Sequence, residues 1–428
     1  MEGLRTISIG DRTPQTDMVQ LALTRAGFPV TIDGVYGAIT AAAVKRFQST
    51  RGLNQDGVVD IRTWSAFKPY LTGSILHSVK AGDTMYKLAA ANGSSVDSIK
   101  LANPAADPYN LRIGSCLTIP LWFDIVPTEI RWCHALFTAV REGLSLRYPF
   151  ISFFALGKSV MGREITCAKM GVGNNEVFYN AAHHANEWIT TPVTIKFLED
   201  YARAYGSGGS IFGIDAASLY DKSTLYLVPM VNPDGVDLVT GDLTSGVYYN
   251  RAKRIAASFP EIPFVSGWKA NIEGVDLNLQ YPAGWEKAKE LKFASGFNRP
   301  APRDYVGSAP LEAPESRCIY DFTLEHSFSL TLSYHTQGEV IYWKYGDTDP
   351  ERAYEIGLEF ERLSGYRLEL TPPEMANAGY KDWFIHKFLQ PGYTIEAGYG
   401  YSPLPITQLE TIYRKNLGIL TTGLIITV

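Results

Sequence analysis

Cysteine is scarce in this chain. Its 428 residues include four, Cys116, Cys133, Cys167 and Cys318, and no two stand in Cys-x-x-Cys spacing. Neither a thiolate zinc site nor a disulfide framework is suggested, and reduced, buried thiols are expected. Charge of one sign is also lacking: 39 Lys and Arg face 44 Asp and Glu, a formal net charge of -5, and no long basic stripe occurs. Nucleic acid and anionic membrane surfaces are therefore poor partners. The longest apolar tract, Leu417 to Val428, is too short to cross a bilayer. Met1 to Asp17 show no apolar core of a secretory signal, so the expectation is a cytoplasmic, sporulation-related or lysis-released protein.

What is present suffices for cores: 46% of the residues are hydrophobic, and the length predicts two or three domains. Residues 11–71 contain an internal repeat, in which Asp33-Gly34-Val35-Tyr36-Gly37-Ala38-Ile39-Thr40 is echoed by Asp56-Gly57-Val58-Val59-Asp60-Ile61-Arg62-Thr63. In both copies an Asp-Gly turn precedes a helical stretch, the first being Ala41 to Ser49 with Val44 and Phe47 on one face. The pattern predicts a small helical bundle. Residues 76–121 predict a small α+β unit: a strand, a helix starting at Asp83-Thr84, a second helix closed by Asn103-Pro104, and a final strand over Ile113 to Pro120. His77, within the first strand, reads as structural.

The first segment resembles the peptidoglycan-binding domain of cell-wall hydrolases, through its Asp33-Gly34-Val35 turn, Ala43-Val44 followed by Phe47-Gln48, and the closing Gly52-Leu53, Asp56-Gly57 and Thr63-Trp64. The second resembles a LysM domain, which implies binding to the N-acetylglucosamine polymers of glycan strands.

From residue 122 to 428 the chain reads as one α/β domain. Strand-like runs at Glu176 to Ala181, Ser223 to Met230, Ser329 to Tyr334 and Pro391 to Glu396 alternate with helical stretches at Pro127 to Gly143, Thr191 to Tyr205 and Pro350 to Ser364. Ligands of open α/β sheets gather beyond the carboxyl ends of strands, and three of these runs end at a chemically loaded residue: His184 with Glu187, His335, and Glu396. Imidazole and carboxylate suit Zn²⁺, and a catalytic zinc needs three protein ligands and an open position. His184 and Glu187 supply two, and His335 is the best third. Glu396 is the candidate base for water. His183, His326, His134 and His386 read as structural.

Residues 122–428 resemble a zinc carboxypeptidase of the carboxypeptidase A family. The likeness rests on Tyr148-Pro149, Gly157-Lys158-Ser159, Gly162-Arg163-Glu164-Ile165, His184-Ala185-Asn186-Glu187-Trp188, Asn232-Pro233-Asp234-Gly235, Gly274-Val275-Asp276-Leu277-Asn278 and the segments holding His335 and Glu396. It implies a mixed-sheet catalytic domain with one Zn²⁺ held by His184, Glu187 and His335, a ligand set carried over from the family. It further implies Glu396 as general base and acid, Asp276 as the carboxylate behind a zinc imidazole, and Lys269 as oxyanion support where the family has arginine.

Two departures narrow the reading. Family exopeptidases carry Asn-Arg after Gly-Val-Asp-x, the arginine gripping the substrate's terminal carboxylate, whereas here the pair is Asn278-Leu279. Lys381 stands before Asp382-Trp383, at the family's specificity pocket, and would take a substrate carboxylate. The family's mobile tyrosine has no clear counterpart; Glu374 falls near its place, and Tyr380 is the substitute on offer. Wall-binding units ahead of such a peptidase resemble the bacterial γ-D-glutamyl-L-diamino acid endopeptidases, with peptidoglycan as the implied partner and the D-glutamate α-carboxylate as the group for Lys381. The alternatives are an ordinary zinc carboxypeptidase and a non-catalytic wall-binding protein.

Overall fold

Each Asp-Gly repeat is clamped by a buried glutamine from the helix before it. In the computed structural model, which describes residues 3–427, α1 (Pro14–Arg25) supplies Gln20 and α2 (Ala38–Thr50) supplies Gln48. Gln20 donates to Asp33 Oδ1 at 2.7 Å and accepts from Gly34 N at 2.9 Å. Gln48 donates to Asp56 Oδ1 at 3.1 Å and accepts from Gly57 N at 3.0 Å. Both glycines are left-handed, with φ of 70° and 74°, a conformation glycine adopts without steric cost. The sequence repeat is thus a repeat of one glutamine-locked turn, followed the second time by α3 (Ile61–Thr72).

The next unit follows the expected order: β1 (Ser74–Ser78), α4 (Met85–Asn92), α5 (Val96–Ala102) and β2 (Cys116–Pro120), the strands pairing antiparallel. Thr84 caps α4 by accepting from Lys87 N at 3.1 Å. Asn103, predicted to close α5, bridges to β2 by donating to Thr118 O at 2.7 Å and accepting from Thr118 N at 2.9 Å. His77 pairs with Asp83 at 2.8 Å, a local structural contact.

The chain divides into two compact units, Met1–Ser152 and Phe153–Val428. Residues 122–152 fall in the first of these units. α6 (His134–Arg147) lies against α3, and the Arg147 guanidinium donates to the carbonyls of Gly73 at 2.7 Å and Phe123 at 2.9 Å. The helix expected from Pro127 starts only at His134, because residues 127–132 fold into a turn in which the buried Trp132 indole donates to Pro127 O at 3.2 Å. Of the cysteines, Cys133 and Cys167 are buried and Cys318 partly so, but Cys116 is exposed, against expectation.

The second unit is built on an eight-stranded mixed sheet in the order β11-β10-β12-β9-β5-β8-β4-β3. Its strands are β3 (Ser152–Lys158), β4 (Glu164–Met170), β5 (Asn175–Ala181), β8 (Ser223–Val228), β9 (Leu330–His335), β10 (Val340–Tyr342), β11 (Arg367–Glu369) and β12 (Gly392–Glu396); a short hairpin, β6 (Ser210–Ile211) and β7 (Ile214–Asp215), lies outside it. The central strands β12, β9, β5 and β8 run parallel, and β8 and β9 are buried throughout, as expected of strands covered on both faces. Helix α7 (Thr190–Gly206) follows β5, and aromatic side chains such as Phe178, Tyr281, Phe322 and Trp383 fill one core. Among the described residues no helix is long and apolar enough to cross a membrane.

Candidate active site

Three neighbouring parallel strands end at one place. Register pairs Glu396 of β12 with His335 of β9, and Tyr334 with Ala181 of β5, so the chain leaving β5 arrives beside both. Ala182 then turns left-handed, with φ of 52°, and the segment leads through His183 and His184 into a short 3-10 turn, Ala185–Glu187. The Asn-Pro-Asp-Gly motif holds that turn. Asn232 donates to His183 O at 3.1 Å and to Ala270 O at 3.0 Å, tying the histidine segment to the Lys269 loop. Gly235 is required there, since a Cβ would stand 2.7 Å from the Ala185 Cβ.

His184 Nδ1, Glu187 and His335 Nδ1 converge. The two imidazole nitrogens are 3.2 Å apart, His184 Nδ1 is 3.0 Å from Glu187 Oε1, and His335 Nδ1 is 2.9 Å from Glu187 Oε2. Ligands about 2.0–2.1 Å from a tetrahedral zinc lie about 3.3 Å from one another, so this spacing fits one ion. The orientation fits as well: His184 Nε2 is 3.1 Å from Asp276 Oδ1, which places the ring proton on Nε2 and leaves the Nδ1 lone pair facing the centre. His183 turns away, its Nε2 3.0 Å from the Tyr281 hydroxyl in the core.

The charges press on one another. Burial opposes protonation of His184, but Glu187 and Asp276 outweigh it and raise it to about 9. Burial and the Glu187 carboxylate push Glu396 up to about 8, against Lys269 and His184. Lys269 donates to Glu187 Oε1 at 2.9 Å, and although burial works against its charge, that carboxylate raises it. His335 shifts the other way, since burial holds its imidazole below the usual range despite the Glu187 carboxylate.

A cavity of about 190 Å³ opens over these groups, lined by His184, Lys269, Asp276, Asn278, Lys381 and Glu396 among others. A larger hollow of about 650 Å³ lies along the edge strand β3 and contains none of the candidate zinc ligands, nor Glu396 or Lys269. Asn278 accepts from Tyr380 N at 3.0 Å, so it braces the loop behind the cavity. Two of the expected substrate residues are held by the protein itself. Tyr380 is fully buried, with its hydroxyl 3.1 Å from Thr323 and its ring among Phe178, Tyr281 and Trp383, so it points into the core and cannot replace a mobile tyrosine. Lys381 does line the cavity, but its ammonium is already met by Asp382 Oδ1 at 2.5 Å and Lys344 O at 2.9 Å, so its charge is answered within the wall. Among the lining residues that the sequence did not single out are Tyr342, which pairs with Thr394 of β12, and Arg303. Neither sits in a motif.

A mixed sheet with a two-imidazole, one-carboxylate centre at the ends of its parallel strands defines a carboxypeptidase-like metallopeptidase fold. The solved structure of thrombin activatable fibrinolysis inhibitor shares that fold, with a TM-score of 0.54 at 18% identity, covering 70% of this chain and 79% of that one. The zinc carboxypeptidase family profile matches residues 138–416, the putative peptidoglycan-binding domain residues 12–67, and the LysM domain residues 77–120. The chain belongs to the zinc carboxypeptidase family and is a zinc metallopeptidase of that family carrying both wall-binding modules. It is 45% identical over 286 residues to γ-D-glutamyl-L-diamino acid endopeptidase 1 of Lysinibacillus sphaericus, covering 66% of this chain and 69% of that protein. Against carboxypeptidase B of Bos taurus it is 28% identical over 289 residues, 62% of this chain and 63% of that one.

Proposed function

We propose that this protein is a peptidoglycan endopeptidase that cuts stem peptides between the γ-carboxyl of D-glutamate and the following diamino acid, with His184, Glu187 and His335 holding one zinc ion per chain. The observation that carries the reading is Leu279 in the cavity wall, an apolar side chain where the family's exopeptidases anchor a free terminal carboxylate. The name of the Lysinibacillus relative supports the same bond specificity, and the two N-terminal modules supply the partner, since binding glycan concentrates the enzyme at its substrate.

Bound zinc would polarise the scissile carbonyl and acidify water. Glu396, at the cavity wall, takes the proton of the attacking water and passes it to the departing nitrogen. Asp276 keeps His184 in the tautomer that presents Nδ1. Lys269, beside the donor set, carries positive charge toward the developing oxyanion.

The test compares a defined stem tripeptide with its C-terminal amide, with products read by mass spectrometry. Cleavage of the γ-linked bond in both is expected. Strong dependence on a free carboxyl terminus would make the protein an ordinary carboxypeptidase, and inactivity of the zinc-loaded enzyme on all muropeptides would reduce it to a wall-binding protein.

A further inference from the structure

Loss of the family's carboxylate-gripping arginine leaves the cavity with four lysine and arginine side chains in its lining, and three are occupied. Lys269 is bound to Glu187, Lys381 to Asp382 and Lys292 to Asp304. Arg303 differs. Its Nε donates to Asp304 Oδ2 at 2.6 Å, and no bond from its terminal guanidinium nitrogens is found among the described residues; the side chain is 41% exposed while lining the cavity. A guanidinium with both end groups open can take a carboxylate in bidentate fashion.

The mounting of Arg303 is rigid. Asp304 has a left-handed backbone, φ 64°, a conformation that aspartate tolerates better than most residues. Here its N–H donates to Asp276 Oδ2 at 3.0 Å, and its carboxylate also takes Lys292 Nζ at 2.5 Å. Asp276 therefore joins two tasks: one oxygen orients His184 and the other fixes the segment that presents Arg303. The preceding carbonyl, Pro302 O, accepts from Lys269 N at 2.8 Å and Ala270 N at 3.0 Å, so Arg303 stands on the Lys269 side of the cavity.

We propose that Arg303 is the specificity-determining residue that binds the free α-carboxylate of the residue on the acyl side of the scissile bond. This rests on the reading under Proposed function. A γ-linked D-glutamate displays that carboxylate beyond two methylene groups from the carbonyl under attack. An α-linked residue has no carboxylate there, and an α-amidated stem has it blocked.

The experiment uses the full-length, zinc-loaded protein and two stem tripeptides, one with D-glutamate and one with D-isoglutamine. Wild-type kcat/KM should favour the acid by roughly 10- to 100-fold, the range for a hydrogen-bonded charge. Arg303→Ala should lose most of that preference, with the acid rate falling far more than the amide rate, and Arg303→Lys should restore part of it. Arg303→Gln replaces the alanine variant if that one does not fold. Equal wild-type rates on acid and amide overturn the proposal, as does an equal loss on both peptides in the variants. If wild type cuts neither γ-bond, the endopeptidase reading itself fails, and that outcome is distinct from cleavage without discrimination.

Discussion

At the His184 corner of the cavity, two imidazoles and a carboxylate face a common point, with the Lys269 ammonium and the Thr336 N–H drawn toward the carboxylate. At the Lys381 corner, a few side chains away, the buried ammonium is met by Asp382 and by the Lys344 carbonyl. Both corners bury charge, which costs free energy unless partners compensate it. The second compensates itself and is complete as it stands. The first is arranged so that its lone pairs converge, which protein groups alone leave unbalanced. The difference separates charges that serve as wall from charges that await a ligand.

The largest expected effect tests the open corner. Glu396→Gln keeps the shape and removes the base, so kcat/KM on a stem tripeptide should fall by about 10³-fold or more, with zinc content by elemental analysis unchanged. A loss under tenfold would mean that Glu396 is wall, like Asp382. The closed corner is tested by stability. Lys381→Met should cost about 3 kcal/mol in urea unfolding because it strands a buried carboxylate, and adding Asp382→Asn should recover most of it. Turnover falling further than stability in the single variant would restore Lys381 as a substrate contact and erase the contrast between the corners.

The open corner was the more legible in the sequence. His184, Glu187, His335 and Glu396 stand at the ends of β5, β9 and β12, and a parallel sheet brings such ends together whatever the intervening loops do. Asp276 lies outside the sheet and was legible only through the family resemblance of its Gly274-Val275-Asp276 motif. The closed corner depends on rotamers and loop packing. Nothing in Tyr380-Lys381-Asp382 says that the tyrosine turns into the core among Phe178 and Trp383 while the lysine folds back on its neighbour. Arg303 was hidden likewise, because its placement comes from contacts between distant segments, such as Asp304 N to Asp276 Oδ2 across 28 positions and Lys269 N to Pro302 O. In the N-terminal unit the Asp-Gly repeat and the Phe47-Gln48 motif were plain, but the locking role of Gln48, and of Gln20 with it, was visible only once the helices were packed.

The smallest effect falls where the metal corner and Arg303 meet. Asp276 accepts hydrogen bonds on both oxygens, from His184 on one side and Asp304 N on the other. Asp276→Asn offers one oxygen and one NH2, so one of two donors must face another donor. If the NH2 meets Asp304, the segment carrying Arg303 is released and the preference for an acid over an amide stem shrinks. If it meets His184, the ring must move its proton to Nδ1, and zinc affinity should fall by about 10- to 100-fold in competition with a chelator. Measuring both quantities in the one variant tells which contact yields. A variant that keeps zinc affinity and acid preference together would show that Asp276 holds neither, and the open corner would then owe its geometry to the strand ends alone.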